Sequence, residues 1–328
     1  MASPFWRECL EQEPTIRLGV SMCLMGENVR YDGGHKRDRY LINTLGEFVQ
    51  WVPVCPEVEI GLPVPREAMH LVGDPDDPRL VTVKAGNDYT ERMQTWARDR
   101  LDQLAETKLN GFVFKSRSPS SGLHRVKVYD EQGMPSRVGT GIFPREVMRR
   151  FPLLPLEEEG RLHDMGLREN FIERVFVHYR WTCVLEKDRA PGGLVAFHTA
   201  HKLTMMAHSP QHYQKMGRLV AQAGNLPWRE LVDYYGQLLM DGLQEMATPG
   251  RHVNALQHLM GFLKEFVSSE DKAELLGLIE DYRQGLLPLI VPLTLLKHHL
   301  NRYPVPEWVH QQVYLNPYPK ELMLRNHV

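Results

Sequence analysis

The amino-acid sequence predicts an α/β domain with a doubly wound, mostly parallel sheet, followed by an all-α domain. Apolar β-branched runs alternate with helical patterns in the first half of the 328 residues, whereas only helical periods occur after about residue 168. A chain of this length is also large enough to bury two separate hydrophobic cores. We therefore expect two domains.

Five short apolar runs in the first half predict strands. They are residues 16–24, 48–56, 80–86, 111–116 and 124–130. An amphipathic pattern at 90–109 predicts a helix before the fourth strand. Because ligands of doubly wound sheets bind beyond the carboxyl ends of the strands, Cys23, Cys55 and segment 118–122 are expected at a binding site.

Amphipathic segments fill the second half and predict helices. They are residues 168–186, 198–209, 212–224, 228–247, 251–266, 269–285 and 286–297. The last contains Pro288 and Pro292 and predicts a buried, kinked helix. The proline-rich, acidic stretch 151–167 resembles a linker. The predicted organisation is an N-terminal extension (1–15), an α/β domain (16–150), a linker (151–167) and a helical domain (168–328).

Composition restricts the class of protein. The net charge of −2 excludes bulk attraction to nucleic acid, so RNA binding would require a local patch. No apolar run reaches the roughly 20 residues of a membrane span. The first residues lack an export signal, so we expect a cytoplasmic protein. In a cytoplasmic chain of this size, the four cysteines are expected to be catalytic, metal-binding or buried thiols rather than disulfides. They form no CxxC pair, which excludes a zinc ribbon or a thioredoxin-like motif.

Four segments of the first half share the signature of one family. They are CLMGENVRYDGGHKRD (23–38), VCPEVEIGLPVPRE (54–67), AGNDYTERM (85–93) and KSRSPSSGLHRVKVYD (115–130). Together they resemble the thiouracil desulfidase family, TudS. The segments FHTAHKLTMMAHS, GRHVNALQHLMGFLKE and LPLIVPLTLLKHH resemble a YbgA-type helical domain. Fusions of these two domains resemble tRNA 4-thiouridine desulfidases. The resemblance implies a hydrolytic, non-redox enzyme that converts 4-thiouridine in tRNA to uridine and hydrosulfide.

The resemblance also implies a 4Fe–4S cluster with three protein ligands and one open iron that accepts the thiocarbonyl sulfur. The ligand positions match Cys23, Cys55 and Ser121, and the last is cysteine in the family. Serine is a poor, hard ligand for iron, so the cluster is expected to be labile or absent. Either Ser121 replaces a cysteine deliberately, or the protein is a natural variant that is inactive or uses another ligand, such as Cys9. Cys183 lies in a helical pattern and is expected in the core.

The family match assigns catalysis to Glu57, as general acid or base, and to Ser118, as a hydrogen-bond donor to the substrate. Glu57 could instead pair with Arg66, and Ser118 could simply form a turn before Pro119. Candidate phosphate-binding residues are Arg30, Arg66, Lys115 and Arg117. Each of these cations could equally form a structural salt bridge.

Cations and histidines cluster in three parts of the helical half and would fit tRNA contacts. They are His198, His201 and Lys202; Arg251 and His252; and Lys297, His298 and Arg302. A buried polar network between helices is the alternative. A zinc site on His198 and His201 lacks further ligands at suitable spacing. Competing functions are desulfidation of free thiouracil or of thiouridine nucleotides, and RNA binding without catalysis. No membrane or protein partner is indicated.

Overall fold

The computed structural model describes residues 16–187 and 189–328, so the predicted N-terminal extension and Cys9 lie outside it. The described residues form two compact units, of which the first ends at His163 and the second begins at Asp164. We refer to them as the α/β unit and the helical unit. The predicted order of an α/β domain followed by a helical domain is confirmed.

Eight strands occur in the described part of the α/β unit. They are β1 (Arg17–Ser21), β2 (Gln50–Val54), β3 (Met69–Val72), β4 (Arg79–Thr82), β5 (Gly111–Phe114), β6 (Val126–Tyr129), β7 (Pro135–Gly139) and β8 (Leu156–Glu158). The central sheet has the order β2-β1-β5-β8 and is parallel throughout. A Cβ on Gly19 would lie 2.1 Å from the Phe112 ring, so glycine is required where β1 and β5 pack.

A second, mixed sheet has the order β4-β3-β6-β7. Only β3 and β6 are parallel neighbours, whereas β4 and β7 pair antiparallel at the two edges. The sequence predicted strands at 80–86 and 124–130, but the structure assigns them to this second sheet rather than to the central one. The α/β unit is therefore built on two four-stranded sheets.

The helices of the α/β unit are α1 (Arg39–Asn43), α2 (Pro56–Glu59), α3 (Thr90–Thr107) and α4 (Ile142–Arg150). The helix predicted at 90–109 is confirmed as α3. Its buried residues join two apolar clusters: Ala97 packs with the side chains of Phe112 and Phe143, and Met93 packs with those of the second sheet. Apolar burial of this kind supplies most of the stability of an amphipathic helix.

The predicted linker is largely part of the α/β unit. β8 pairs with β5, with Val113 opposite Glu157, and thereby completes the central sheet. The linker prediction is wrong for residues 151–163, because prolines and acidic residues suggest an exposed connection when burial is unknown. Glu157, Glu158 and Glu159 are in fact all buried.

Eight α-helices form the described helical unit. They are α5 (Met165–Lys187), α6 (Pro191–His208), α7 (Pro210–Val220), α8 (Trp228–Gln244), α9 (Pro249–Met260), α10 (Ser269–Arg283), α11 (Ile290–Arg302) and α12 (Glu307–His310). The helix predicted from residue 286 begins instead at Ile290. Pro288 precedes it and Pro292 lies in its first turn, where the missing N–H is not needed. Within the described residues, no helix combines the length and apolar character that crossing a membrane requires.

Candidate active site

Four loops meet at the carboxyl edge of the central sheet. Cys23 follows β1, Cys55 follows β2, the loop from Lys115 to Ser121 follows β5, and Glu159 follows β8. Because the four strands are parallel, their carboxyl ends lie at the same edge. A cavity of about 510 Å³ opens there and is lined by both cysteines and by the loop after β5. The sequence-based expectation of a site at this edge is consistent with this geometry.

The two thiols are buried beside each other. Burial raises the pKa of the Cys23 thiol to about 11, and nearby Lys115 only partly opposes this effect. Burial also raises the pKa of the Cys55 thiol. Without a metal, both groups are therefore neutral thiols at pH 7. Cys183, in contrast, lies buried in α5, as predicted for a core thiol.

Ser121 lines the same cavity and is buried. The position that the resemblance assigns to the third cluster ligand thus lies on this cavity, but it carries a hydroxyl. No set of three cysteine, histidine or acidic side chains is arranged to hold a metal among the described residues. The donor set suits an iron–sulfur cluster through its two thiols, whereas the Ser121 hydroxyl is a weak oxygen donor.

Glu57 is held at both carboxylate oxygens. Cys55 is the N-cap of α2, and Glu57 stands in the first turn of this short helix. Its Oε2 accepts hydrogen bonds from the Arg66 guanidinium, with a distance of 2.8 Å from Nε. Its Oε1 accepts a 2.7 Å hydrogen bond from the Ser120 hydroxyl. The pairing with Arg66 that the sequence left open is therefore present, and it occurs inside the cavity.

Ser120 is a site residue that the sequence analysis missed. Its hydroxyl lies 3.0 Å from that of Ser118 and so connects Ser118 to Glu57. Ser118 itself accepts a 3.2 Å hydrogen bond from the Ser121 backbone N–H. The loop is tightly packed, since a Cβ on Gly122 would lie 2.7 Å from the Ser118 carbonyl oxygen. Only the three-dimensional turn reveals which serine faces Glu57.

Glu159 is a second residue that was missed. It pairs with the Lys115 ammonium, and its Oε2 accepts a 2.7 Å hydrogen bond from the Ser116 backbone N–H. The Ser116 hydroxyl donates to Oε1 at 2.8 Å. Neighbouring Glu158 accepts a 2.8 Å hydrogen bond from the Leu123 backbone N–H. The acidic run after Pro155 therefore anchors both ends of the loop that carries Ser118 to Ser121.

The four predicted phosphate-binding cations differ in their availability. Arg66 and Lys115 are paired with Glu57 and Glu159, as the salt-bridge alternative proposed. Arg30 lies 3.3 Å from the exposed Asp32 carboxylate. Arg117 is exposed and has a φ of 61°, which is unusual for a residue with a side chain. Arg117 is thus the most accessible of the four cations.

The tRNA-contact candidates of the helical unit also divide by burial. His298 and Arg302 are exposed, whereas His198, Lys202, Arg251 and Lys297 are partly buried. His201 and His252 are buried, and burial lowers the pKa of each imidazole to about 3. A buried neutral imidazole cannot contact RNA, so the structure does not support these two. They belong to the internal polar network that was the alternative interpretation.

A hydrogen-bonded network of buried ionisable side chains lies inside the helical unit. The Glu173 carboxylate accepts a 2.9 Å hydrogen bond from His208, and both groups are fully buried. Burial opposes ionisation of Glu173, but the bonded His208 outweighs it and holds the pKa of the carboxyl at about 2. The same interaction raises the pKa of His208 despite its burial. Tyr318 donates a 2.7 Å hydrogen bond to Glu169, which also lies near Arg325.

Comparisons with known proteins agree with this division of the chain. A family model described as 2-thiouracil desulfurase matches residues 18–159, and one described as a protein of unknown function (DUF1722) matches residues 202–319. The uncharacterized protein YbgA of Escherichia coli (strain K12) is 33% identical over 156 residues, which cover 47% of this chain and 90% of YbgA. The chain belongs to the YbgA family and also carries a 2-thiouracil desulfurase domain. Both resemblances inferred from the motifs are confirmed.

A solved structure is also similar to this YbgA-family chain. It is described as a [4Fe-4S]-dependent thiouracil desulfidase, TudS, and shares 28% sequence identity. The alignment covers 47% of this chain and 98% of that one, with a TM-score of 0.38. The desulfurase match ends at residue 159 and so includes β8 and Glu159. Residues 151–159 of the segment that resembled a linker thus fall within the desulfurase match.

Proposed function

We propose that this chain is an iron–sulfur-dependent desulfidase that converts 4-thiouridine in tRNA to uridine, with release of hydrosulfide. The observation that carries the proposal is the position of Glu57. Its carboxylate is fixed by Arg66 and Ser120 at the wall of a cavity that Cys23 and Cys55 also line. A fixed carboxylate beside a pair of potential metal ligands suits activation of water next to a polarised substrate.

Cys23, Cys55 and position 121 would hold the cluster. When bound, a 4Fe–4S cluster supplies a soft Lewis acid suited to a thiocarbonyl sulfur. Since burial raises the pKa values of both thiols, loading the site must release their protons. The Ser121 hydroxyl is a hard donor, and we propose that the chain as it stands holds the cluster weakly.

The chain's own residues account for the proton transfers. One water molecule adds its oxygen to the ring carbon that bears sulfur; one of its protons passes to Glu57 and the other stays on the new hydroxyl. The carbon–sulfur bond then breaks as the hydroxyl proton is transferred to the sulfur, so the oxygen stays as the carbonyl and hydrosulfide departs with the electron pair of that bond. The proton on Glu57 is finally released to water. No net electron transfer occurs. The Ser120 hydroxyl orients Oε1 of Glu57, and Ser118 extends the same hydrogen-bonded chain.

The helical unit favours tRNA over a free base as the substrate. Its surface carries the exposed side chains of His298 and Arg302 on or near the last turn of α11. An exposed guanidinium such as that of Arg302 binds phosphate, which free thiouracil lacks. Free thiouracil or thiouridine nucleotides and RNA binding without catalysis remain the competing outcomes of the following experiment.

The test compares the chain with its Ser121→Cys variant after anaerobic supply of iron and sulfide. We expect iron–thiolate absorption to be stronger and longer-lived in the variant. Loss of 4-thiouridine from tRNA and release of sulfide should follow the same order. Cys183→Ser is the matched control and should leave the spectrum unchanged, because Cys183 lies in the core of the helical unit.

Three results would contradict the proposal in different ways. A Ser121→Cys variant that remains colourless and inactive would remove the enzyme interpretation. Turnover of 4-thiouracil with no turnover of thiolated tRNA would show that the substrate is a free base rather than tRNA. Tight binding of tRNA without turnover in the iron-loaded variant would favour an RNA-binding protein.

A further inference from the structure

An aromatic ring stands exposed at the mouth of the cavity. Tyr31 lines the cavity, yet 44% of it is accessible to solvent. The Arg30 guanidinium carbon lies 5.6 Å from the centroid of its ring. Large aromatic side chains are usually buried, so a fixed exposed ring beside a cavity suggests a ligand that covers it.

The backbone around Tyr31 is held in place. Its carbonyl oxygen accepts a 2.8 Å hydrogen bond from the Arg66 backbone N–H. A tight turn follows, in which the Gly33 N–H donates to the Arg30 carbonyl at 2.9 Å and the Gly34 N–H donates to Asp32 at 3.1 Å. The ring is therefore presented by an ordered loop that is joined to the residue orienting Glu57.

Two exposed cations line the same cavity. The Lys36 backbone N–H donates a 2.9 Å hydrogen bond to the Cys23 carbonyl, which places Lys36 beside the loop after β1. Arg117 belongs to the loop after β5. Both side chains are exposed, whereas the charges of Lys115 and Arg66 are paired with the carboxylates of Glu159 and Glu57. The positive charge open to a ligand is thus concentrated on Lys36 and Arg117.

We infer that Tyr31, Lys36 and Arg117 form a nucleotide-recognition rim around the cavity. The Tyr31 ring stacks on the pyrimidine, and the two cations bind the phosphate attached to its ribose. This inference rests on the proposed function and adds how the α/β unit itself distinguishes a nucleotide from a free base. It assigns phosphate recognition to Lys36 and Arg117 rather than to Arg66 and Lys115.

Equilibrium dialysis of the full chain, without added iron so that turnover is prevented, tests the rim. The ligands are 4-thiouracil and 4-thiouridine 5′-monophosphate. Tyr31→Ala should weaken binding of both ligands by about 5- to 150-fold, because base–aromatic stacking is lost, whereas Tyr31→Phe should bind both normally. Lys36→Glu and Arg117→Glu should each weaken only the nucleotide, by roughly tenfold.

Matched controls lie outside the cavity. Tyr234→Ala removes a tyrosine in α8 that is 56% exposed, and Lys127→Glu reverses an exposed charge on β6. Neither control variant should change the affinity for 4-thiouracil or for 4-thiouridine 5′-monophosphate. Circular dichroism and thermal unfolding of each variant identify any loss of folding.

The outcomes separate the rim from the proposed function. Unchanged affinities in Tyr31→Ala, or equal losses in Tyr31→Ala and Tyr31→Phe, would overturn stacking. Equal weakening of base and nucleotide by the two charge reversals would overturn phosphate recognition. If the unchanged chain bound neither ligand, the inference and the proposed function would fail together, whereas the other results leave the proposed function standing.

Discussion

Glu57 and Glu173 are both hydrogen-bonded carboxylates next to a cation, but their surroundings differ. Glu57 pairs with Arg66 at the wall of an open cavity, while Glu173 pairs with His208 in the fully buried interior of the helical unit. A carboxylate on a cavity can exchange protons with water or substrate, whereas a sealed one can only hold its neighbours. Access to water and substrate, rather than residue type, therefore distinguishes a carboxylate suited to catalysis from one that only stabilises the fold.

The largest expected effect tests the open carboxylate. In the iron-loaded Ser121→Cys variant, we predict that Glu57→Gln lowers the rate of desulfidation by about 10²- to 10⁴-fold, because the proton acceptor is lost. Glu91→Gln, on the exposed first turn of α3, is the control and should retain the rate. Sulfide release measures both. An unchanged rate of desulfidation in the Glu57→Gln variant would show that Glu57, like Glu173, has only a structural role.

The next effect tests the sealed carboxylate. We predict that Glu173→Gln lowers the free energy of unfolding by about 3–5 kcal/mol, because the buried pair formed by the Glu173 carboxylate and His208 is broken. Urea denaturation followed by circular dichroism measures this change. The exposed Glu274→Gln, in α10, should change stability by less than about 0.5 kcal/mol. Equal midpoints for both variants would contradict the architectural role.

We expect low pH to lower the free energy of unfolding, because the interior of the helical unit contains buried neutral histidines. Burial lowers the pKa of His178 to about 4 and that of His201 and His252 to about 3, so these groups stay neutral when folded. Unfolded histidines take up protons below about pH 6.5, so stability falls as pH drops from there towards 4. His208 and Glu169, whose pKa values are raised, act in the opposite direction but are fewer than the histidines whose pKa values are lowered. We expect a lower urea midpoint at pH 5 than at pH 7, and a smaller difference in His252→Gln.

A smaller effect distinguishes the two serines. We predict that Ser120→Ala, in the iron-loaded Ser121→Cys variant, raises the activation free energy by about 1–3 kcal/mol, because Oε1 of Glu57 loses its donor. Ser120→Thr retains the hydroxyl and should restore part of the rate. The measured quantity is kcat for thiolated tRNA. If the kcat of the Ser120→Ala variant equalled that of the Ser121→Cys parent, the contact between Ser120 and Glu57 would have no catalytic consequence.

The smallest effect on stability concerns the surface of the helical unit. We predict that Arg302→Gln changes the free energy of unfolding by less than about 0.5 kcal/mol, since the side chain is exposed. It should nevertheless weaken binding of thiolated tRNA and reduce the salt dependence of that binding, because a phosphate contact is lost. Filter binding at several salt concentrations measures both. The exposed Arg229→Gln is the control on α8.

Strong local patterns made much of the fold predictable. β1, β2 and β5 are apolar runs, and α3 has a clear helical period. The second sheet was missed because β3 is only four residues long and because β7 is mostly exposed. β8 was missed because its two glutamates are buried, which sequence patterns rarely suggest.

The candidate site was predictable only where motifs name residues. Cys23, Cys55 and Glu57 line one cavity, as the motifs implied. Ser120 lies between Ser118 and Ser121 in the sequence, and the sequence alone does not determine which hydroxyl contacts Glu57. Similarly, the spacing of His198 and His201 places them near one another on a helix but does not determine which one faces the core.

The end of the α/β unit has a consequence for how such proteins can be recombined. The last strand of the central sheet, Leu156–Glu158, and the anchoring Glu159 precede the helical unit by only a few residues. A fragment that stopped at residue 150 would lose the edge strand that pairs with β5 and the carboxylate that holds Lys115. A break after His163 keeps them all. Gene fusion at that point is therefore expected to exchange the second unit while all residues of the proposed active site remain in the first.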